Sequence, residues 1–269
     1  MNLINIKTNF MTEIYFLKIL ILSVAQGIFE FIPVSSSGLL VVLEELLKVE
    51  SNNLLLNVTM HGGSLAAVVA FFFKDLISLW KNQKLLINLI IATIPVVITG
   101  GVLSYFGWMN NIMNLAVVGY STIFFGLLLF ISDKKKEIQN FTNSISNKDA
   151  MIIGLYQILA LIPGTSRSGI TITAARFLNF NRVDAAKFSF LLSVPTLSAA
   201  FILGSYEIIK LDQTNFTILS FFAFIFSFIF SLLTIKYFLI FLKKFSLNLF
   251  VIFRIILGSI LLINYYFNQ

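Results

Sequence analysis

The sequence predicts an all-α integral membrane protein in which six transmembrane helices and two re-entrant helical hairpins form an inverted-topology repeat. Three observations lead there. Apolar residues make up 58% of the 269 and charged residues only 12%, well under the roughly 25% charge of a soluble domain. Charge-poor runs of about 20 residues, the length that crosses a bilayer as a helix, recur along the chain. Two further apolar stretches are each interrupted by a polar segment containing Gly and Pro.

The length would allow one or two soluble domains, but the repeated apolar runs exclude them, and the 30 phenylalanines suit a lipid-facing surface. With no cysteine, disulfides, thiolate metal sites and a cysteine nucleophile are excluded. The single histidine, His61, excludes a multi-histidine zinc site. The net charge of +7 sits in short loops between apolar runs, which is how membrane topology is encoded, and does not point to nucleic acid. The N-terminus lacks the order of a signal peptide, so the first apolar run is expected to be retained. The whole chain, 1–269, reads as one membrane domain.

The six spans are expected at Val58–Phe73, Leu85–Tyr105, Ile112–Ile131, Ala185–Ile208, Phe216–Tyr237 and Leu247–Phe267. Lysines in the connections set their orientation. Lys74, Lys81 and Lys84 follow the first span, Lys134, Lys135, Lys136 and Lys148 follow the third, and Lys236, Lys243 and Lys244 precede the sixth. The loops Phe106–Asn111 and Lys210–Asn215 are nearly free of positive charge. The basic connections are therefore read as cytoplasmic and the C-terminus as outside.

The interrupted stretches are Ile14–Leu47, broken at Pro33–Gly38, and Met151–Leu178, broken at Pro163–Gly169. Each reads as two half-length helices around a break. Irregular backbone at membrane depth is tolerated where it lines a cavity or is buried in protein, so two re-entrant hairpins are expected, with two kinked full spans as the alternative. The bookkeeping of sides favours hairpins. Arg176, Arg182 and Lys187, after the second stretch, match the cytoplasmic lysines before it, whereas the first stretch begins and ends outside, with Glu44, Glu45 and Glu50 there. A hairpin plus three spans makes each half, 12–131 and 149–269. Three crossings being odd, the halves have opposite topology, and broken helices in such repeats meet near the midplane to build the site. A weak echo, Phe31-Ile32-Pro33…Gly38 against Leu161-Ile162-Pro163…Gly169, joins them.

Ionisable residues inside apolar segments are functional candidates. Gln26 and Glu30 stand four apart, on one helical face, just before Ser35, Ser36 and Ser37. Arg167 stands among Thr165, Ser166, Ser168 and Thr171, where a helix should begin. One carboxylate, one guanidinium, several hydroxyls and two helix N-termini together suit phosphate. Glu30 can act as a general base or as the ligand of a divalent cation on a diphosphate. A phosphate-ester hydrolase and an anion transporter both need such parts, a Glu30–Arg167 pair can also simply join the hairpins, and a serine can bond back to its own helix.

The stretch Gln26-Gly27-Ile28-Phe29-Glu30-Phe31-Ile32-Pro33-Val34-Ser35-Ser36-Ser37-Gly38 resembles the first signature of the undecaprenyl-diphosphatase (bacitracin-resistance) family. Pro163-Gly164-Thr165-Ser166-Arg167-Ser168-Gly169-Ile170-Thr171 is similar to its second, and the likeness extends through Phe188–Pro195 to Arg254-Ile255-Ile256-Leu257-Gly258. The resemblance implies hydrolysis of undecaprenyl diphosphate to the monophosphate and inorganic phosphate at the outer face of the bacterial inner membrane. That step recycles the carrier for peptidoglycan synthesis, cell wall biogenesis and cell shape, and confers bacitracin resistance. The family fold it implies is likewise two inverted repeats with re-entrant hairpins.

Carried onto this chain, Glu30 would be the essential carboxylate, aided by Gln26, with Ser36 the hydroxyl near the phosphates and candidate nucleophile. Arg167 joins the catalytic set, and Ser35, Ser37, Ser166, Ser168 and Thr171 would hold the diphosphate. Glu30 is also the candidate ligand for a divalent cation, Mg or Ca. Many family members carry histidine directly after the glycine of the first signature, but Leu39 stands there. His61 is the auxiliary candidate in its place, with a structural bond to a neighbouring hydroxyl as the alternative. A polyprenyl phosphate transporter or flippase is the alternative function, and a second copy of the chain is the candidate protein partner.

Overall fold

A computed structural model describes residues 2–47, 54–107, 114–138, 145–212 and 217–267, with the backbone alone for 2–13, Ser37 and Glu45. The expected outer-loop residues 108–111 and 213–215, Glu50, and the side chains of Ser37 and Glu45 lie outside the described residues. The helices, in chain order, are α1 (Asn2–Phe29), α2 (Ser36–Leu47), α3 (Leu54–Phe71), α4 (Phe73–Ser78), α5 (Gln83–Tyr105) and α6 (Leu115–Asp133). They continue with α7 (Asn147–Ile158), a 3-10 turn (Leu159–Leu161), α8 (Arg167–Phe177), α9 (Arg182–Lys210), α10 (Ile218–Leu242) and α11 (Asn248–Phe267). Six of them, α3, α5, α6, α9, α10 and α11, are long and apolar enough to cross a membrane.

Four of the six observed spans begin where a capping side chain stands, not where the apolar run starts. Asn82 accepts from Leu85 N at 3.2 Å, so α5 begins at Gln83 instead of Leu85. Asn114 accepts from Ala116 N at 2.8 Å and sets α6 at Leu115 instead of Ile112. Asn181, accepting from Asp184 N at 2.8 Å, carries α9 back to Arg182 from the expected Ala185. Thr217 likewise starts α10 at Ile218. A capped helix end satisfies an orphan N–H at little cost, which hydropathy does not register.

The first span has the most shifted start, running Leu54–Phe71 instead of Val58–Phe73, and the fifth the most shifted end, at Leu242 instead of Tyr237. The polar residues at the start of the first do not delay it, because Thr59 Oγ1 donates to Leu55 O at 2.6 Å and His61 Nδ1 bonds Asn57 O at 2.8 Å. Polar side chains returned to their own helix in this way survive in an apolar setting. Two other expectations are corrected. Lys236 lies within α10, exposed beside the Tyr237 ring, and not in the following loop. At 28 residues α1 is longer than a half-length helix, its apolar part being Ile14–Phe29.

Small and hydroxylated residues join the helices, as expected where lipid removes the hydrophobic drive between them. A Cβ on Gly63 would strike the α10 backbone at Phe224, so α3 and α10 touch closely. Within that contact Ser64 Oγ lies 3.0 Å from both Ser227 Oγ and Ser231 Oγ, and Ser231 Oγ reaches Gly27 O of α1 at 3.2 Å. The core continues through Phe31, Phe72, Phe188, Phe190 and Phe238. On the periphery Ile90, Ile94 and Ile98 of α5 and Ile252 and Ile256 of α11 are exposed. An apolar cleft of about 440 Å³ separates α5 from α9 and is lined by Leu86, Leu89, Ile94, Leu191, Val194 and Pro195.

Candidate active site

The two breaks meet. In the first, Glu30 N still donates to Gln26 O at 3.0 Å, but Pro33 has no N–H to continue the ladder. The chain turns through Val34 and restarts at Ser36, where Ser35 Oγ accepts from Gly38 N at 3.0 Å. Phe31, fully buried edge-on to Phe190 at 5.3 Å, anchors the turn. In the second break, Ile162 is extended, as a residue before proline prefers to be. Gly164 at φ +91° and Ser166 at φ +69° then reverse the chain into α8, and Ser166 Oγ accepts from Gly169 N at 3.2 Å. A side chain at Gly164 would strike Ser121, so that position is closed to other residues on both counts. Ser166 is a non-glycine residue in left-handed space, a strain found mostly at functional sites.

Glu30 is the centre of the arrangement. Its Oε1 accepts from Arg167 Nη2 at 3.0 Å and its Oε2 from Gln26 Nε2 at 2.9 Å. Arg167 Nη1 donates to Ser189 O of α9 at 3.2 Å, and Ser168 Oγ donates to Ile32 O across the breaks at 3.0 Å. Glu30 is 7% exposed, the Arg167 side chain 14% and the His61 side chain 36%, so His61 is the most open of the three.

His61 Nε2 lies 3.9 Å from Glu30 Oε2, while its Nδ1 faces the Asn57 carbonyl at 2.8 Å. A carbonyl only accepts, so Nδ1 carries a hydrogen and Nε2 is the ring nitrogen turned toward Glu30. His61 is thus bonded to backbone, not to the neighbouring hydroxyl considered above, and it faces the carboxylate.

The hydroxyls divide. Ser35 and Ser166 cap helices, and Ser168 ties the breaks together. Thr171 Oγ1 lies buried behind Arg167, bonding Arg167 O at 2.9 Å and Ser189 Oγ at 2.7 Å. Ser36, half-buried at the first position of α2, has no hydrogen-bond partner for its hydroxyl among the described residues. Leu39 packs beside Val118, Leu257 and Leu261 in an apolar cluster. The N–H groups of Ser166, Arg167 and Ser168 have no protein acceptor among the described residues, and such a row at a helix start binds anions.

No cluster of three or more His, Asp or Glu able to hold a metal occurs among the described residues. Glu30 offers a carboxylate already bonded to Gln26 Nε2, and Gln26 Oε1, four residues earlier in the chain, is buried without a hydrogen-bond partner. A carboxylate and an amide oxygen are ligand types that suit a hard cation such as Mg, whose other ligands come from outside the protein.

Sequence reasoning missed Ser189 and Arg254 as parts of this centre. Ser189 carried no signal, being one serine in a long span. Arg254 did, as the one charge in α11; it donates to Gly164 O at 3.1 Å and Thr165 O at 2.9 Å.

The profile of the family described as bacitracin resistance protein BacA matches residues 19–260. The chain is 45% identical over 252 residues to the undecaprenyl-diphosphatase of Pelagibacter ubique (strain HTCC1062), covering 93% of this chain and 98% of that one. It is 38% identical over 256 residues to the undecaprenyl-diphosphatase of Jannaschia sp. (strain CCS1), covering 90% and 96%. Against the protein of the same name from Alteromonas mediterranea it is 38% identical over 259 residues, covering 91% and 97%. With both signatures inside a match of this extent, the chain belongs to the BacA bacitracin resistance family.

Proposed function

We propose that the protein is an undecaprenyl-diphosphatase, hydrolysing undecaprenyl diphosphate to undecaprenyl phosphate and inorganic phosphate. The observation that carries this reading is the junction of Glu30 and Arg167 at 3.0 Å between two serine-capped helix starts. A carboxylate base, a planar phosphate-binding cation and a row of free amides are what phosphoryl transfer asks of a protein, which mainly positions groups and stabilises charge. Arg167 and the amides of Ser166, Arg167 and Ser168 hold the terminal phosphate. Glu30, with His61 beside it, takes a proton from the attacking oxygen as the new P–O bond forms. The bridging P–O bond then breaks and the lipid monophosphate leaves. Ser36 is the nucleophile in this scheme, giving a phosphoserine that water hydrolyses. Mg or Ca held by Glu30 and Gln26 would, when bound, neutralise charge on the phosphate oxygens.

The reading includes re-entrant hairpins in an inverted repeat, 12–131 and 149–269, and several features support it. α1 lies on α10 as α7 lies on α5, through Gly27 against Ser227 O and Gly154 against Ala92 O. α6 packs on α11 and α3 on α9, each on its own counterpart. The chain before α7 and after α8 meets at one end, where Arg176 donates to Asp133 O and Lys135 O and Arg182 Nε to Asp133 Oδ1 at 2.6 Å. In the positive-inside sense that end is cytoplasmic, in the bacterial inner membrane. His61, the open edge of the site, stands about two turns from Leu54 at the opposite end of α3, which favours access from the outer face.

The test is phosphate release from undecaprenyl diphosphate by the purified protein in detergent. Release without a second compartment supports the enzyme. Binding without release supports a lipid phosphate transporter of the same architecture and sinks the proposal.

A further inference from the structure

Arg254 is the one charged residue of α11, a 20-residue span, and it is fully buried. A cation there is costly unless paired, and intramembrane charges persist where they act. No described carboxylate lies within ion-pairing distance of it. Its donors go to backbone carbonyls alone: Nε to Thr122 O of α6 at 3.0 Å, Nη1 to Thr165 O at 2.9 Å and Pro33 O at 3.5 Å, and Nη2 to Gly164 O at 3.1 Å. One guanidinium therefore holds both breaks. Gly126 of α6 and Gly169 of α8 leave it room, since a Cβ at those positions would stand 3.2 Å from Arg254 Cβ and 3.0 Å from Arg254 Nη1.

The direction of these bonds has a consequence for the phosphate cradle. The Pro163 carbonyl accepts from Ser121, that of Gly164 from Thr122 and Arg254, and that of Thr165 from Arg254. All three carbonyls are drawn toward α6 and α11. In a trans peptide the next N–H points the opposite way, so the N–H of Ser166 faces away from Arg254 and joins the free amides of Arg167 and Ser168. Charge leads to the same place. Glu30 and Arg167 offset each other, whereas Arg254 leaves a positive charge behind the amide row.

Resting on the diphosphatase reading, we infer that Arg254 is a positioning residue of the reaction. It turns the amides of the second break toward the diphosphate, pins Pro33 of the first break beside them, and supplies the standing positive charge of the cradle. It acts through the backbone that it holds.

The variant Arg254→Lys keeps the charge but loses the planar fork. The expected result is a KM for undecaprenyl diphosphate raised about tenfold, the scale of one charge-assisted bond, with kcat within about threefold of the parent. Gly126→Ala offers a second handle that leaves the arginine in place and crowds its Cβ and Nε, at 3.2 and 3.3 Å; it should raise KM in the same direction. Gly119→Ala crowds the same pair of helices at Leu262, 2.8 Å away; it should lower the melting temperature with KM unchanged. If Arg254→Lys and Gly126→Ala lower the melting temperature but leave KM and kcat at parental values, Arg254 is only a packing element and the inference fails. A parent protein that releases no phosphate removes the diphosphatase reading instead. Inorganic diphosphate then decides the cradle on its own: stabilisation of the parent and not of Arg254→Lys supports the inference, and equal stabilisation overturns it.

Discussion

Replacing Glu30 by glutamine keeps the shape of the side chain and removes its charge. The parental carboxylate, 7% exposed, accepts from Arg167 Nη2 at 3.0 Å and from Gln26 Nε2 at 2.9 Å. Removing one partner of a buried ion pair costs about 3–5 kcal/mol when the other charge is stranded. Arg167 is not fully stranded, because its side chain is 14% exposed and Nη1 keeps Ser189 O at 3.2 Å. A stability loss of about 2 kcal/mol, near that of one charge-assisted bond, is therefore expected. Loss of a general base costs about 10²–10⁴ in rate, or roughly 3–5 kcal/mol in the barrier. The effect on turnover thus exceeds the effect on folding, and the two are separable. Phosphate release from saturating undecaprenyl diphosphate by purified Glu30→Gln should fall about 10³-fold, with a melting curve still showing a cooperative transition. A folded variant turning over within about threefold of the parent would refute the assignment of Glu30 as base.

Three further outcomes follow from the same geometry. His61→Ala should keep the fold, since the ring is partly exposed and bonded only to its own helix, and should lower kcat about 10- to 100-fold in the same assay. Ser36→Ala should leave the melting temperature unchanged and abolish the acid-stable phosphoserine trapped with labelled substrate, whereas Ser35→Ala, losing the cap on Gly38 N, should cost about 1 kcal/mol of stability. Leu39→His should not raise activity and should lower stability by about 1–2 kcal/mol, because the imidazole would enter the apolar cluster of Val118, Leu257 and Leu261.

That last case shows where reading a sequence by its motif stops. Leu39 marks a missing histidine, and His61 is the only imidazole left to replace it. Only the packing of α3 against α1 decides that the ring faces Glu30, 3.9 Å away. The hydroxyls behave similarly. Ser35, Ser36, Ser166, Ser168 and Thr171 are equivalent as letters, yet Ser35 and Ser166 cap helices, Ser168 bridges the breaks and Thr171 sits behind Arg167. Which lone pair or hydrogen remains for a ligand depends on neighbours from other helices.

The sequence by itself determined the membrane class, the six spans to within a few residues, the two breaks and the acidic and basic residues that belong to them. These follow from local quantities: hydropathy over a bilayer's length, missing proline N–H groups and charges too costly to leave in lipid without purpose. Four spans started elsewhere because a capping side chain, not apolarity, sets where a helix begins. Only the tertiary structure decided that Glu30 and Arg167 meet, that Ser189 receives the second arm of Arg167, and that Arg254 holds both breaks from behind. Those contacts join residues between 22 and 221 positions apart. No periodicity or spacing along one chain encodes such a meeting; it arises when helices that cannot satisfy buried polar groups alone satisfy them in one another.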